Sequence, residues 1–402
     1  MLAPEFFPIW GGAGSYIVEI IKNMPLDVNV HVITLKRKIQ HASDDKIENE
    51  MASVINRPIN VHYISESKET FFYNILFQLA CFRKLPNLHK KYRFDIIHSH
   101  LCFMPDVFLK LFNKSFADFP TVLTLHGTIQ MLRDHAYHAQ LLFGDLEAGE
   151  ESTLKFFPII RLLEQQYVKR VSKLIAVSEA TMTLAQRYLK VNREKIELIY
   201  NGVDTEVFHS PNKDEITTKY SQPTVIYVGR LVSKKGIHVL LQTIPEVLKE
   251  IPETHFIFVG GGDLPLYRKI LSNMNIPKEN FSFTGHIGYF ERPKLLRKAT
   301  VYVNPSLFEN CSISILEAMS SEAAVIASKI GGNPEIIKSG KNGLLFPLCN
   351  YKILAEHIKS LLIDEKLNKK IAREARKTIE SSFTSKLCAQ RTLNLYYKVL
   401  GS

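Results

Sequence analysis

The chain has 402 residues, of which 46% are hydrophobic and 23% are charged, so it is not a disordered protein. Its length exceeds the roughly 250–300 residues at which a single core stops growing, and we expect two domains of about 200 residues each. The longest apolar stretch, around Phe71–Phe82, contains Asn74 and Gln78 and is too short to span a bilayer, and the N-terminus lacks the pattern of a secretory signal.

The net charge of +11 is concentrated in the second half of the chain. Residues 1–200 contain 24 Lys and Arg against 21 Asp and Glu, whereas residues 201–402 contain 27 against 19. A basic second half suits an anionic ligand, although a solvated basic face on the C-terminal helices, between Lys366 and Lys377, explains much of the excess. We do not expect nucleic-acid binding, because no recognised module is present.

The cysteine pattern does not support a disulfide framework or a zinc site. The five cysteines are odd in number and form no C-x-x-C pair. They are Cys81, Cys102, Cys311, Cys349 and Cys388. A reducing cytoplasm is the expected location.

Short β-branched runs alternate with longer amphipathic stretches along the whole chain, which is the pattern of βαβ units in a parallel sheet. The first strand is predicted to be short, since Met1–Pro4 leaves only two or three residues for it. This suggests that the start of the sequence is truncated. The predicted strands are Val28–Thr34, Asp95–His98, Thr121–Leu125, Leu174–Val177, Thr224–Val228, His255–Val259, Asn280–Thr284, Val301–Asn304 and Ala324–Ala327. We therefore predict an α/β chain of two Rossmann-like, doubly wound domains.

The boundary between these domains is predicted near residue 208. Asn201-Gly202-Val203-Asp204 reads as a turn, and the following segment, His209–Gln222, is polar and contains Pro211. The domains are then 1–208 and 209–385, and a helix near 386–402 could pack back on the first. In open parallel sheets ligands bind outside the carboxyl ends of the strands, so the loops after strands are the candidate sites.

The segment from Pro305 to Met319 is the strongest candidate for an anion site. The predicted strand Val301–Asn304 leads through the loop Leu307–Cys311 into a predicted helix for which Ser312 is a plausible N-cap. Free N–H groups at Cys311 to Ser314 and the positive end of the helix dipole would face an anion.

Two glutamates flank this turn. Glu317 lies just over one turn inside the predicted helix, and because helical side chains lean toward the N-terminus, its carboxylate could accept hydrogen bonds from a ribose hydroxyl pair. Glu309 lies in the loop itself. The alternative is that Glu317 is a solvent-facing helix residue and Glu309 is a surface acid.

A second cluster follows the predicted strand Thr224–Val228. Arg230 offers a planar fork and Lys235 a compact charge, and together they could neutralise a diphosphate, unless they are ordinary exposed basic residues. The glycine run Gly260–Gly262 permits either close approach of a ligand or a tight turn. In the first half, Gly11-Gly12-Ala13-Gly14 precedes the predicted helix Ser15–Lys22, where backbone N–H groups could meet phosphate.

Three histidines end predicted strands of the first half. His98 and His100 end one strand, and His126 ends another. We expect a packing or hydrogen-bonding role for His98 and His100. No third ligand at metal spacing accompanies them, so zinc is not expected.

Taken together, these segments resemble the glycosyltransferase family 4 group of retaining enzymes with the GT-B fold, and the likeness covers nearly the whole chain. It rests on the following segments in order: Pro8–Gly12, Asp95–His100, Thr124–Gly127, Ala176–Ser178, Asn201–Asp204, Gly229–Leu231 with Lys235-Gly236, the pair Glu309 and Glu317 followed by Ala318-Met319, Gly331–Ile336, Gly340 and Gly343.

The resemblance implies two Rossmann-like domains facing across a cleft and a retaining transfer of sugar from a nucleotide-diphosphate sugar to a glycan, lipid-linked or small-molecule hydroxyl. Arg230 and Lys235 would bind the diphosphate, and Glu317 the ribose. Glu309 and His126 would contact the transferred sugar and are the implied catalytic residues. The other implied donor-binding residues are Gly11, Gly12, Gly260, Asn310, Cys311, Ser312 and Ile313.

Neither a metal nor a further cofactor is expected beside the donor. The chain contains no Asp-x-Asp, the motif with which many transferases hold a diphosphate through a divalent metal. A helix dipole together with Arg230 and Lys235 would stabilise the charge of the diphosphate in place of a metal ion.

Two departures from the family pattern leave the donor open. Glu309-Asn310-Cys311-Ser312 stands where the family usually has Glu-Gly-Phe-Gly, and Ser320–Ala324 stands where it has Ala-Cys-Gly-x-Pro. The alternatives are a GT-B-fold nucleotide-sugar epimerase or phosphorylase, and a catalytically dead nucleotide-sugar-binding protein.

The acceptor side is marked only by segments that lack the family pattern. Ser67–Leu85 and Met131–Phe157 are candidates for an acceptor wall or a membrane-facing surface, with core helices as the alternative for the former. Basic residues between Arg83 and Arg93 follow the first segment, and such a pattern suits peripheral contact with anionic lipid at the inner membrane face.

Overall fold

The computed structural model describes residues 1–7, 11–37, 44–67, 75–100, 104–143 and 154–401. Contacts divide the chain into two units. The first contains Met1–Asp134, the described part of Glu147–Gly202, and the C-terminal segment from Ser385. The second contains Val203–Thr384 and a short segment that begins at His135. The contact boundary therefore falls at Gly202/Val203, and the sequence pattern predicts it near residue 208.

The first unit alternates strands and helices. Its strands are β1 His31–Arg37, β2 Asn60–Ser67, β3 Ile97–His100, β4 Thr121–Leu125, β5 Lys173–Ala176 and β6 Ile196–Leu198. Its helices are α1 Gly12–Lys22, α2 Asp44–Ile55, α3 Ile75–Tyr92, α4 Val107–Phe112, α5 Lys114–Ala117, α6 Ile129–Phe143, α7 Phe157–Arg170, α8 Glu179–Leu184 and, at the C-terminus, α17 Ser385–Leu400. The part of α6 from His135 is counted with the second unit.

The strands of the first unit pair in parallel throughout. β1 pairs with β2, and β3 to β6 form a second sheet in sequential order. The first residues of the chain connect the two, since Leu2 N–H donates to His98 O and Ala3 N–H donates to Ile33 O, both at 2.9 Å. The short first strand expected from the sequence therefore lies between β1 and β3.

The second unit has one six-stranded parallel sheet. Its strands are β7 Thr224–Val228, β8 His255–Val259, β9 Phe281–Gly285, β10 Val301–Asn304, β11 Ala324–Ser328 and β12 Leu344–Phe346. Its helices are α9 Lys213–Ser221, α10 Ile237–Leu248, α11 Leu264–Asn273, α12 Glu291–Lys298, α13 Ile313–Ser320, α14 Asn333–Ile336, α15 Tyr351–Ile363 and α16 Glu365–Ser382.

The strand order of this sheet is β12-β11-β10-β7-β8-β9. Counted from β7, this is 6-5-4-1-2-3, the Rossmann order, and the direction of winding reverses between β7 and β10. Buried side chains from these strands and from α10 and α15, such as Phe256, Phe258, Ile244 and Ile358, form a continuous core. The carboxyl ends of β7 and β10 therefore open side by side at the reversal.

The fold confirms the α/β class and the parallel sheets expected from the sequence. β4, β7, β8 and β10 begin and end as predicted, and the other predicted strands are shifted by one to three residues. β2, β6 and β12 are strands that the sequence pattern did not reveal. Within the described ranges, no helix is long and apolar enough to cross a membrane.

Candidate functional site

The loops after β7 and β10 are in contact at the reversal of the second sheet. Leu307 N–H donates to Lys234 O at 3.0 Å, so the two loops share a backbone hydrogen bond. Gly236 adopts φ +66°, and a Cβ there would lie 1.9 Å from Pro305 O. Only glycine permits this backbone conformation together with so close an approach. The sheet order thus brings the two clusters predicted from the sequence to one place.

A polar network ties Lys235 to Glu309. Lys235 Nζ donates to Glu309 Oε1 at 2.7 Å, and Ser306 Oγ donates to the same oxygen at 2.8 Å. Asn304 Nδ2 lies 3.4 Å from it. Glu309 is buried, so this is a desolvated carboxylate with a cation and a hydroxyl as partners, and not a surface acid. Asn304 and Ser306 were not singled out as functional residues from the sequence.

The backbone of Glu309 is fixed by the turn after β11. Gly332 N–H donates to Glu309 O at 3.0 Å, and Gly331 has φ +53° with its ideal Cβ position only 1.8 Å from the same oxygen. Any side chain at Gly331 would displace Glu309. The turn therefore sets the position of the acidic loop.

The first turn of α13 is held by side-chain hydroxyls. Ser312 precedes the helix, as predicted, but its hydroxyl makes no capping hydrogen bond. Instead Ser312 Oγ accepts from Asn304 Nδ2 at 3.3 Å, and Ser314 Oγ accepts from Tyr302 OH at 2.8 Å. The adjacent Cys311 is buried. The start of the helix is thus anchored to β10, beneath the loop that contains Asn310.

Glu317 is buried inside α13 and paired with an arginine. Arg292 Nη1 donates to Glu317 Oε1 at 2.8 Å and to Oε2 at 3.2 Å. The Glu317 side chain is only 3% exposed, which overturns the alternative of a solvent-facing residue. Nothing in the sequence pattern indicated Arg292, since its proximity depends on the packing of α12 beside α13.

The glycine run after β8 lies against the loop after β7. Leu231 N–H donates to Gly261 O at 2.8 Å. Gly260 has φ +136° with its ideal Cβ position 1.9 Å from Gly229 O, and a Cβ at Gly262 would lie 2.4 Å from Leu231 O. Close packing of two loops therefore explains these glycines. The same packing holds the backbone of the loop that carries Arg230.

In the first unit, α1 begins earlier than predicted. The helix starts at Gly12, not at Ser15, with Gly11 as the preceding residue. Gly12 and Gly14 therefore belong to its first turn, although glycine is a poor helix former, so propensity alone misplaced the start. A Cβ at Gly12 would meet nothing within 4 Å among the described residues.

Histidines at the ends of β3 and β4 form a cluster in which His98 and His100 are buried and His126 is half-buried. His100 Nδ1 and His126 Nε2 lie 3.0 Å apart, and the two rings are stacked. His98 hydrogen-bonds Tyr396 OH at 2.5 Å and Thr124 Oγ1 at 2.7 Å. His98 and His100 are thus buried, and hydrogen bonds fix their rings.

The cluster is held in the neutral state. Burial lowers the pKa of His98 and of His100 well below its usual range, and lowers the pKa of His126 to about 3. The edge of the Tyr16 ring packs against His126 with centroids 4.8 Å apart. The His126 ring is therefore neutral at neutral pH.

Some predicted features fall outside the described residues. These are Pro8 in the N-terminal motif, Phe71 to Tyr73, Cys102, and part of Met131–Phe157. Among the residues that the structure describes, no group of three His, Cys, Asp or Glu side chains could hold a metal ion.

Family comparisons cover almost all of the chain. Residues 10–207 match the model of Glycosyltransferase Family 4, and residues 210–378 match that of Glycosyl transferases group 1. Spore coat protein SA of Bacillus subtilis is 26% identical over 328 residues, which cover 77% of this chain and 80% of that protein.

Solved structures share the architecture at low identity. Sucrose-phosphate synthase of Thermosynechococcus elongatus superposes with a TM-score of 0.77 at 18% identity, over 99% of this chain and 95% of that one. Anabaena HepE in complex with UDP-glucose gives a TM-score of 0.74 at 20% identity, over 99% and 98% of the respective chains. These likenesses show that the two parallel α/β units have the GT-B fold.

Proposed function

Because this chain belongs to the group 1 and family 4 glycosyltransferases, we propose that it transfers a sugar, with retention of anomeric configuration, from a nucleotide-diphosphate sugar to a hydroxyl acceptor. The observation that carries the proposal is the meeting of Lys235 and Glu309 at the reversal of the second sheet. Ligands of doubly wound sheets bind at such a point. HepE, with the same fold, is described in complex with UDP-glucose, which supports a nucleotide-sugar donor.

In this proposal the second unit holds the donor. Lys235 and Arg230 neutralise the diphosphate, and the backbone from Asn310 to Ile313 faces it at the start of α13. Glu317, on the same helix, accepts hydrogen bonds from the ribose. The charge supplied by Arg230, Lys235 and the helix dipole makes the transfer independent of a metal ion.

The transferred sugar meets Glu309 and His126 in this proposal. Neutral His126 hydrogen-bonds a sugar hydroxyl, a role that comes from the family resemblance, as does a contact of Gly12 with the diphosphate. The bond between the anomeric carbon and the diphosphate oxygen breaks as the acceptor oxygen attacks from the same face. The acceptor proton passes to the departing diphosphate, whose charge Lys235 and Arg230 stabilise.

A membrane-proximal acceptor is favoured by one exposed surface of the first unit. Along α7 and the residue before it, Phe156, Ile159 and Leu162 are 52–62% exposed, and the flanking Lys155 and Lys169 are exposed as well. An apolar stripe with basic flanks suits the interface of an anionic bilayer. We expect co-sedimentation with vesicles that contain 30% phosphatidylglycerol; equal binding to neutral vesicles would contradict this part of the proposal.

The free thiols fit a cytoplasmic location. Among the residues that the structure describes, Cys81, Cys311, Cys349 and Cys388 form no disulfide, and three of them are buried. Such thiols persist where glutathione and thioredoxin keep cysteines reduced. A fusion reporter that distinguishes the two sides of the membrane tests this location.

A thermal-shift screen of UDP-, GDP- and ADP-sugars tests the donor. A ligand at 100 times its Kd stabilises a protein by about 2.7 kcal/mol, so one nucleotide series should raise the Tm. Lys235→Ala should lose the shift, and Lys249→Ala, which changes an exposed lysine, should keep it. No shift with any of the three series contradicts the proposal.

Transfer is then measured with the labelled donor that binds, with and without candidate glycan and lipid acceptors. Formation of a glycosylated acceptor is the expected result. An isomerised free nucleotide sugar, or a reaction that requires orthophosphate, would instead identify an epimerase or phosphorylase. Donor binding without any turnover would identify a catalytically dead binding protein.

A further inference from the structure

Arg292 and Glu317 form an ion pair inside the second unit. One guanidinium nitrogen, Nη1, reaches both carboxylate oxygens, at 2.8 and 3.2 Å. The Arg292 side chain is 17% exposed and that of Glu317 is 3% exposed, so the pair is largely shielded from water. Shielded pairs have a well-defined geometry, unlike mobile surface pairs.

The Arg292 guanidinium also packs against an aromatic ring. The centre of the Arg292 guanidinium lies 5.6 Å from the centroid of the Tyr289 ring, which is itself buried and packs edge-on against Phe208 at 5.9 Å. A cation over an aromatic face is attracted to it. Arg292 is therefore held both by the carboxylate that it binds and by an aromatic platform.

Electrostatics explain why a carboxylate at Glu317 needs such a partner. It lies on α13, the helix whose start is proposed to face the donor diphosphate, and a buried lone anion would repel that diphosphate. The nearby Arg292 guanidinium offsets most of this repulsion. A carboxylate has about four acceptor positions, so its pairing with Arg292 is compatible with hydroxyl contacts.

We propose that Arg292 is the positioning residue for nucleotide recognition: it holds the Glu317 carboxylate oriented toward the ribose hydroxyls, and so makes the site selective for ribonucleotides over deoxyribonucleotides. The inference rests on the proposed function, in which Glu317 binds the ribose. Arg292 acts through Glu317 and not by touching the reacting atoms. It adds a residue on α12 to the donor site proposed for the second unit.

Deoxynucleotides separate this role from a purely structural one. Isothermal titration calorimetry with UDP, GDP and ADP first finds the nucleotide that the full chain binds. Its 2′-deoxy and 3′-deoxy forms are then titrated into the wild type, Arg292→Met, Arg292→Lys and the control Lys294→Met. Lys294 lies on the same helix, and its ammonium pairs with the exposed Glu291 instead.

For the wild type, loss of a hydroxyl that binds a carboxylate should weaken binding about 10- to 100-fold for at least one deoxy form. We compare variants by the ratio of the Kd of the deoxynucleotide to the Kd of the ribonucleotide. In Arg292→Met this ratio should fall below about 3-fold, because the two nucleotides then bind almost equally weakly. Arg292→Lys should restore part of the ratio, and Lys294→Met should retain all of it.

A merely structural arginine would give a different result. If Arg292→Met binds every nucleotide more weakly but keeps the wild-type ratio, the inference is wrong and the proposed function stands. A wild type that does not distinguish ribose from deoxyribose also overturns it. Binding of none of the three nucleotides contradicts the proposed function itself. If Arg292→Met does not fold, Arg292→Lys and Glu317→Gln, which should also lower the ratio, decide between these outcomes.

Discussion

Lys235 Nζ and Glu309 Oε1 lie 2.7 Å apart although 74 positions separate the two residues in the sequence. Their loops meet because β7 and β10 are hydrogen-bonded neighbours at the reversal of the sheet. The Glu309 side chain is 11% exposed and that of Lys235 is 29% exposed. The pair is thus intermediate between a surface salt bridge and a buried one.

Removal of the cation should destabilise the protein through the carboxylate that remains. For Lys235→Ala we expect a loss of about 1–3 kcal/mol in the free energy of unfolding, between the values for exposed and buried pairs. Urea unfolding measures this loss, with Lys249→Ala as the exposed control. In the double variant Lys235→Ala/Glu309→Gln the total loss should be smaller than the sum of the single losses. Strict additivity would show that the pair is not coupled.

Glycine substitutions should separate steric clash from backbone strain. Gly331→Ala combines φ +53° with a Cβ that would lie 1.8 Å from Glu309 O. We therefore expect the free energy of unfolding to fall by at least about 2 kcal/mol and donor turnover to be lost. Gly340 has φ +82° with nothing within 4 Å among the described residues, so Gly340→Ala should show the strain alone. Gly288→Ala meets neither problem and should resemble the wild type.

Thermal unfolding and donor turnover of the three glycine variants check this order. Retained turnover in Gly331→Ala would show that the turn after β11 does not position Glu309. Equal losses in Gly331→Ala and Gly340→Ala would show that strain, and not the clash, is decisive.

Apolar runs between turn residues were enough to predict the strands of the second sheet. Thr224–Val228 and Val301–Asn304 are buried on both faces, and such strands are continuous β-branched and aromatic runs. β2, Asn60–Ser67, was missed because its sequence is largely polar and several of its residues are half-buried or exposed. An edge strand of this kind is defined by its pairing with β1 and not by its own hydrophobicity.

The candidate site could be predicted where its residues follow strands, or, like Glu317, lie in the helix that such a loop enters. Lys235 and Glu309 stand in such loops, and sheet topology brings these loops together. Arg292 lies within the first turn of α12, and its contact with Glu317 depends on how two helices pack side by side. Sequence spacing does not encode that packing, so this part of the site required coordinates.

His100 should influence catalysis through His126. Its Nδ1 lies 3.0 Å from His126 Nε2, so the pair fixes the orientation of the His126 ring. For His100→Ala we expect kcat for donor turnover to fall about 10- to 100-fold with a smaller change in KM, because a reacting group that is misplaced by about 1 Å loses rate of this order. His100→Asn, which keeps a hydrogen-bonding group, should recover part of the rate. A change confined to the Tm would show that His100 is only structural.

Glu164 should make stability depend on pH in a direction that its burial determines. Burial raises the pKa of this carboxyl from 4.5 to about 8, against the opposing effects of the Ile129 N–H, which donates to Oε1 at 3.0 Å, and of Arg161. Between pH 4.5 and 8 the folded protein therefore holds a proton that the unfolded chain releases. This contribution to stability is fully present below pH 4.5 and is lost as the pH rises toward 8.

Glu164→Gln removes this titration while its amide oxygen can still accept from Ile129 N–H. The variant should therefore gain stability relative to the wild type as the pH rises, by about 3 kcal/mol between pH 5 and pH 8. Urea unfolding at pH 5, 6, 7 and 8 measures the difference in the free energy of unfolding between variant and wild type. For the control Glu246→Gln, on the exposed face of α10, this difference should not change with pH. A difference for Glu164→Gln that stays constant with pH would contradict the raised pKa, because the carboxyl would then be ionised in the folded protein over this whole range.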